Sequence, residues 1–497
     1  MLEMKSKYRM IVVEDSVTGD SKIIIKDKGK FKKVNIGEFI DNKIKEEGFV
    51  DIDGREKALN EGSMGVFSVN KDGKVILSKP SKFIRHKTDK AIFEITTTSG
   101  KKIKVTEDHS LFTLDEKNIL KTIKSKELKE GNFIAIPLKL PFNNSLDEIN
   151  LLDYLEKFDK KIFIVGNNIN EYIFHNRKEI FSIGYSLEYH KSTIQNWIER
   201  KILPRAVFIK IKDKLCCENL FIRSYNDSTR VPIKFKLDNN TLSFLGLWLA
   251  DGCYDKNSVI VSVQEEENRN IVKKVAKKFN SNFKMHSDGF SLVINSTLFK
   301  QIMQKVFELN GNSYTKSIPS WAYNLSDNQI GLLLKGFFSG DGCASDKEVT
   351  FSSCSKELVD DISTLLLRFN IILRNSGLIK RDNTLCCRIG NVKMINSFAK
   401  NIGFLVDSKQ KKLEILRLRV STHDTSDIIP ISLEVKEELS EILGKKFNRN
   451  DYIVRQNNLG REHLSNLLNF VPIGITNPID PLRKIVASDI FGIRLKV

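Results

Sequence analysis

A ten-residue pattern that occurs twice constrains this chain more than any other feature. FLGLWLADGC at residues 244–253 and LKGFFSGDGC at 334–343 each have an apolar run with glycine at the third position, and both close on Asp-Gly-Cys. Asp251 and Asp341 lie 90 residues apart, the span of one small α/β unit. The segments that follow agree as well. VIVSVQEEENRNIVKKVAKKF after the first copy and VTFSSCSKELVDDISTLLLRF after the second both read as a strand, a turn and an amphipathic helix. Two such halves in one polypeptide predict a monomer with approximate twofold symmetry inside the chain.

The repeated pattern has a physical reading. Gly246 and Gly336 remove side chains from one helix face, so that two helix backbones can approach closely. Close packing would repay the roughly 1 kcal/mol that glycine costs relative to alanine inside a helix. Gly252 and Gly342 are expected to end the helices in the left-handed conformation. Asp251 and Asp341 would then sit side by side at two helix C-termini, where carboxylates and negative dipole ends repel unless a cation lies between them. Oxygen ligands and dense negative charge predict Mg2+. An ion held there can activate water and stabilise the leaving oxygen of a phosphodiester.

Charge points to the same kind of partner. Eighty Lys and Arg against 62 Asp and Glu leave +18, an excess that favours a polyanion through counterion release. The 497 residues predict roughly three domains. No apolar run approaches the ~18 residues of a membrane span, and the opening MLEMKSKYRMIVVEDS has no long apolar stretch of the secretory kind. The expectation is an intracellular, non-secreted protein. Its seven cysteines contain no C-x-x-C pair, which argues for reduced thiols and against zinc.

Residues 17 to about 137 read as strands. Phe93, Ile95 and Thr97 alternate with polar residues, Ser99-Gly100 turns the chain, and Ile103 and Val105 alternate back. PLKLPFNNS at 137–145 reads as a connector, and helical and mixed α/β periods follow to about 420. RKEIFSIGYSLEYHKSTIQNWIERKILP, residues 177–204, reads as a helix, a turn at Gly184-Tyr185-Ser186 and a second helix from about His190 to Lys201. Ile194, Trp197 and Ile198 would be buried. Lys191, Ser192, Gln195, Asn196 and Arg200 would face outward, a set suited to base edges and phosphates in a major groove. The segment resembles a helix-turn-helix.

The paired ten-residue copies resemble the two LAGLIDADG (DOD-type) motifs of homing endonucleases, with Trp248, Leu249, Lys335 and Ser339 as departures. That resemblance implies a saddle of two sheets over double-stranded DNA, metal ligation by Asp251 and Asp341, and one assisting lysine per half. YTKSIPSWAYN nominates Lys316. The same spacing from the second aspartate falls at Val406, and the lysines just beyond it make Lys409 or Lys411 the partner.

A second resemblance lies at the N-terminus. SVTGDSKIII and GKKIKVTEDHSLFT are similar to two blocks of the intein, or Hint, family. The likeness implies Ser16 as nucleophile on the carbonyl of Asp15, with Thr106 and His109 assisting. It also implies further β-strands and a terminal His-Asn pair, whereas this sequence closes on SDIFGIRLKV.

The expected fold is therefore multidomain: an all-β Hint-like N-terminal portion, a helical DNA-recognition region and an α/β two-repeat LAGLIDADG endonuclease with pseudo-twofold halves of αββαββα type. Residues 1–15 would be an extein-like flank, 16–140 the splicing portion, and 150–230 the recognition region with its helix-turn-helix-like segment at 177–204. The endonuclease would take 231–420, and 421–497 would be a helical region leading toward missing Hint strands. The expected activity is Mg2+-dependent, site-specific double-strand cleavage of DNA by a monomer. The alternative is a self-processing or split intein, completed by a C-terminal intein fragment in trans, whose decayed nuclease only binds DNA.

Overall fold

The computed structural model describes residues 16–52, 55–225, 229–379, 383–419, 427–472 and 479–496. Asp15 lies outside them.

The N-terminal portion is built largely of antiparallel strands, as the short alternating runs require. One sheet has the order Phe133–Pro137, Ile490–Lys496, Ile92–Thr97, Lys102–Thr106. The hairpin between its last two strands turns where expected, with Gly100 at φ 82°. Its second strand comes from the far end of the sequence, pairing Ile493 with Ile134 and Leu495 with Thr97. The final segment is thus itself a strand of the N-terminal sheet, where the sequence suggested only an approach to one.

The all-strand expectation for 17–137 needs a correction. Residues Ile36–Glu47 form a helix, with the Asn35 side chain accepting from the Gly37 and Glu38 N–H groups. Ile36, Ile40 and Ile44 recur at helical spacing, and Ile44 is buried beside Ile25 and Phe83. Short period-2 runs on both sides masked that spacing. The connector around 137–145 has little regular structure, but Phe142 is buried and packs edge-on against Phe31, ring centroids 4.8 Å apart.

In 177–204 the two helices are Arg177–Ser186 and Lys191–Glu199. The turn therefore falls after Ser186, with Glu188 at φ 63°, and not at Gly184-Tyr185-Ser186, which complete the first helix. Gly184 is there for packing: a Cβ on it would meet the Ile194 side chain at 2.5 Å.

The central region contains the repeat in three dimensions. The motif helices Asn239–Asp251 and Asp327–Asp341 pack against each other, and each leads directly into a four-stranded sheet. The first sheet takes the order Gly252–Asp255, Ser258–Ser262, Ser291–Asn295, Asn282–Met285. The second repeats it with Gly342–Ala344, Val349–Ser353, Thr384–Ile389, Arg374–Ile379. Both motif helices are buried nearly all round, as their continuous apolar runs demand. After residue 427, short helices form a separate hydrophobic cluster around Leu439, Leu464 and Leu482. Among the described residues no helix is long and apolar enough to cross a membrane.

Candidate functional site

The first site begins with two glycines. A Cβ on Gly246 would lie 2.0 Å from the Leu333 carbonyl oxygen, and one on Gly336 would lie 2.0 Å from that of Ser243. No side chain larger than hydrogen fits at either position, so the helices meet backbone to backbone. Gly252 and Gly342 are needed for a different reason from the one the sequence suggested. Both are extended, φ −88° and −87°, rather than left-handed. A Cβ there would strike the Trp248 ring at 2.3 Å or the Phe338 carbonyl oxygen at 2.4 Å. Glycine lets the chain pass from helix to strand without a loop, which fixes each aspartate at the junction.

Asp251 and Asp341 consequently face one small region. A Cβ built on Gly340 would come within 3.3 Å of Asp251 Oδ2. Burial, and then the neighbouring Asp251 charge, push the Asp341 carboxyl up to about 7. Asp251 keeps contact with solvent, yet the protein atoms crowding its carboxyl raise it too, against the pull of two lysines, Lys316 and Lys409. Among the described residues no cluster of three or more His, Cys, Asp and Glu side chains forms a metal site.

The two lysines occupy matching places. Lys316 Nζ donates to the carbonyls of Trp248 (3.0 Å) and Ala250 (2.9 Å), at the end of the first motif helix. Lys409 Nζ donates to those of Ser339 (2.8 Å) and Gly340 (3.0 Å), at the end of the second. Each ammonium therefore sits at the negative end of a helix, beside that helix's aspartate. Lys316 is buried and lies 4.9 Å from the Trp248 ring centroid. Desolvation lowers its pKa against the pull of Asp341 and Asp251. The Ser355 hydroxyl donates to the Lys316 carbonyl at 2.6 Å, fixing its backbone. Lys409 is set by the segment before its helix Asp407–Arg417, where the Leu405 N–H donates to Ser339 Oγ at 2.7 Å. Lys411 is exposed on that helix. Two residues on from Lys409, it points to a different side.

The second site surrounds Ser16. Val17 bridges Val105, which places Ser16 against Thr106. The Thr106 N–H donates to the Ser16 carbonyl at 3.0 Å, and the Ser16 N–H donates to Thr106 Oγ1 at 3.3 Å. His109 is half-buried in the turn after Thr106. Its N–H donates to the Thr106 carbonyl at 2.9 Å, and its own carbonyl accepts from the Ser125 hydroxyl at 2.8 Å. One residue was missed. His86, at the end of the strand Lys82–His86, has Nε2 at 2.6 Å from Ser16 Oγ. The two positions are 70 residues apart in sequence and no spacing connects them.

On the Lys191–Glu199 helix, Ile194, Trp197 and Ile198 are buried as expected. Lys191, Ser192, Gln195 and Arg200 are exposed, while Asn196 is half-buried. Some of these side chains have partners in the fold. Ser192 Oγ lies 2.8 Å from His190 Nδ1 at the helix start, and Gln195 donates to Glu199 at 2.9 Å. Asn196 Nδ2 donates to the Tyr225 hydroxyl at 3.3 Å, and the Arg200 guanidinium lies 4.4 Å from that ring's centroid.

The chain is 28% identical over 454 residues to the DNA-directed RNA polymerase subunit Rpo1C of Methanocaldococcus jannaschii, a match covering 88% of this chain and 46% of that protein. It is 24% identical over 369 residues to the DNA polymerase II large subunit of Thermococcus kodakarensis, covering 70% of this chain and 19% of that one. It thus spans less than half the length of these relatives. Among solved structures it is similar to the transcription factor IIB Mvu mini-intein, with 32% identity, 25% of this chain and 70% of that one covered, and TM-score 0.24. A variant of the homing endonuclease I-DmoI gives 14% identity, coverage of 35% and 97%, and TM-score 0.27. The family model described as intein splicing domain matches residues 23–469, so the chain belongs to the intein splicing domain family.

Proposed function

We propose that this member of the intein family carries a site-specific DNA endonuclease of the LAGLIDADG type in its central region, which makes a double-strand break by Mg2+-dependent phosphodiester hydrolysis. The observation that carries this reading is the acidic pair Asp251 and Asp341, joined through the Gly246–Gly336 contact and backed by one lysine at each helix end. The donor set suits a hard divalent cation: two crowded carboxylates, one with its pKa raised partly by the other's charge. Asp251 and Asp341 would hold the ion, which supplies Lewis-acid charge and lowers the pKa of bound water. Lys316 and Lys409 favour the ionised carboxylates and place positive charge where phosphate charge builds up. The matched strand orders support a pseudo-twofold monomer straddling duplex DNA. Lys191, Gln195 and Arg200 would add contacts to the DNA.

The test is to incubate the purified chain with a long random-sequence duplex library and Mg2+, then sequence the new ends. Recurrent staggered cuts at one site, lost in Asp251→Asn with Asp341→Asn, support the reading. DNA binding without cuts overturns it.

A second reading concerns Ser16. The Thr106 bracket favours Ser16 as the splicing nucleophile, attacking the carbonyl of Asp15 to convert a peptide bond into an ester. Thr106 holds Ser16 in place, and His109 would protonate the departing nitrogen. Cleavage by hydroxylamine between Asp15 and Ser16, absent in Ser16→Ala, tests it.

A further inference from the structure

We propose that His86 is the general base that activates Ser16. This inference rests on the ester-forming reading of Ser16 and adds to it the group that takes the hydroxyl proton.

An alcohol is a weak nucleophile at neutral pH and needs a base within hydrogen-bond reach. His86 Nε2 lies 2.6 Å from Ser16 Oγ. The other ring nitrogen fixes the tautomer. His86 Nδ1 lies 2.9 Å from the Lys87 carbonyl oxygen, which can only accept, so Nδ1 carries the hydrogen of the neutral ring. Nε2 then presents a lone pair, and the Ser16 hydroxyl donates to it. The strand that carries the ring is also tied down. Strand Lys82–His86 pairs with Arg55–Leu59, with His86 opposite Arg55, and Arg85 is tied to Asp41 at 2.6 Å and to Glu56.

The step balances without another reactant. The Ser16 hydroxyl proton passes to His86 Nε2 while Oγ bonds to the carbonyl carbon of Asp15. The bond from that carbon to the Ser16 nitrogen then breaks as His109 gives that nitrogen its proton, and the proton held on His86 returns to His109 through solvent. The products are an ester on Ser16 and a free α-amine. The Thr106 hydroxyl, 3.3 Å from the Ser16 nitrogen, holds that nitrogen in place during the exchange.

The test uses the full chain and hydroxylamine cleavage at the Asp15–Ser16 junction, followed by mass spectrometry. His86→Ala should slow cleavage by about 100-fold or more, the usual worth of a general base. The same substitution in a Ser16→Cys background should cost less than about tenfold, because a thiol ionises near pH 8.5 unaided. Imidazole added to His86→Ala should restore part of the lost rate. Equal losses in the serine and cysteine backgrounds would make His86 structural and overturn the proposal. Undiminished cleavage in His86→Ala overturns the role of His86 alone. No cleavage in the parent chain or in Ser16→Cys overturns the ester reading, and the base with it.

Discussion

Lys33 of the N-terminal strand Lys30–Asn35 and Asp361 of the helix Lys356–Leu366 form an ion pair of 2.6 Å, although more than 300 residues separate them. Asp361 is completely buried. Besides Lys33, it accepts from the Ile318 N–H at 2.7 Å and the Tyr323 hydroxyl at 2.9 Å. Ile318 is two residues from Lys316. A strand of the N-terminal portion thus anchors the loop that carries the lysine of the first aspartate.

Removing one partner of this pair leaves an uncompensated buried charge. Lys33→Met is expected to destabilise by about 3 kcal/mol, read as a lower urea midpoint with unchanged slope. Because Asp361 holds the loop next to Lys316, DNA cleavage should fall as well, under conditions where the variant is still folded.

The Gly246–Gly336 contact has no room for a methyl group. Gly246→Ala or Gly336→Ala should force the motif helices apart and cost about 3 kcal/mol or more. Thermal unfolding followed by circular dichroism checks this, with Gly289→Ala for comparison, since nothing lies near a Cβ there and only its φ of 72° is strained.

Asp341 makes stability depend on pH and metal together. Its carboxyl titrates at about 7 in the folded protein, well above the 3.8 of an ordinary aspartate. The folded chain therefore keeps a proton that the unfolded chain has released. The stability this proton gives is present below about pH 4 and is lost as pH rises through about 7. Without divalent ions, Asp341→Asn should be more stable than the parent at pH 8, by about 2 kcal/mol after allowing for solvent screening. Mg2+ should raise the parent's Tm more at pH 8 than at pH 6, and should do little for the variant. A parent whose Tm ignores Mg2+ at both pH values would count against metal binding here.

Lys409 and Lys411 separate by geometry. Lys409→Met should lower cleavage by ~100-fold, and Lys411→Met by less than about threefold, measured as single-turnover rates on the target found above.

Contacts from the Lys191–Glu199 helix should be read from salt dependence. Lys191→Ala is expected to reduce the slope of log affinity against log salt by about 1. Asn196→Ala should leave the slope unchanged, since Asn196 is neutral and bonded to Tyr225.

The repeated ten residues carried the largest part of what sequence could determine. A glycine at the same step in two apolar runs, each closing on Asp-Gly, is a local pattern with one economical packing solution, so the helix pair and its aspartates were legible. Lys316 and Thr106 could be nominated too, because they sit in short motifs. Tertiary structure decided what depends on long-range approach. Which helix face meets the Ser339 and Gly340 carbonyls determines that Lys409, and not Lys411, bonds to them. The conformation of Gly252 and Gly342 was set by a strand that must begin at once, and not by the helix-ending habit of glycine. His86 had no signal in sequence, because what makes it a partner of Ser16 is the fold of the strands that bring the two together across 70 residues. Periodicity reports the environment along one element; it cannot report which distant element closes on it.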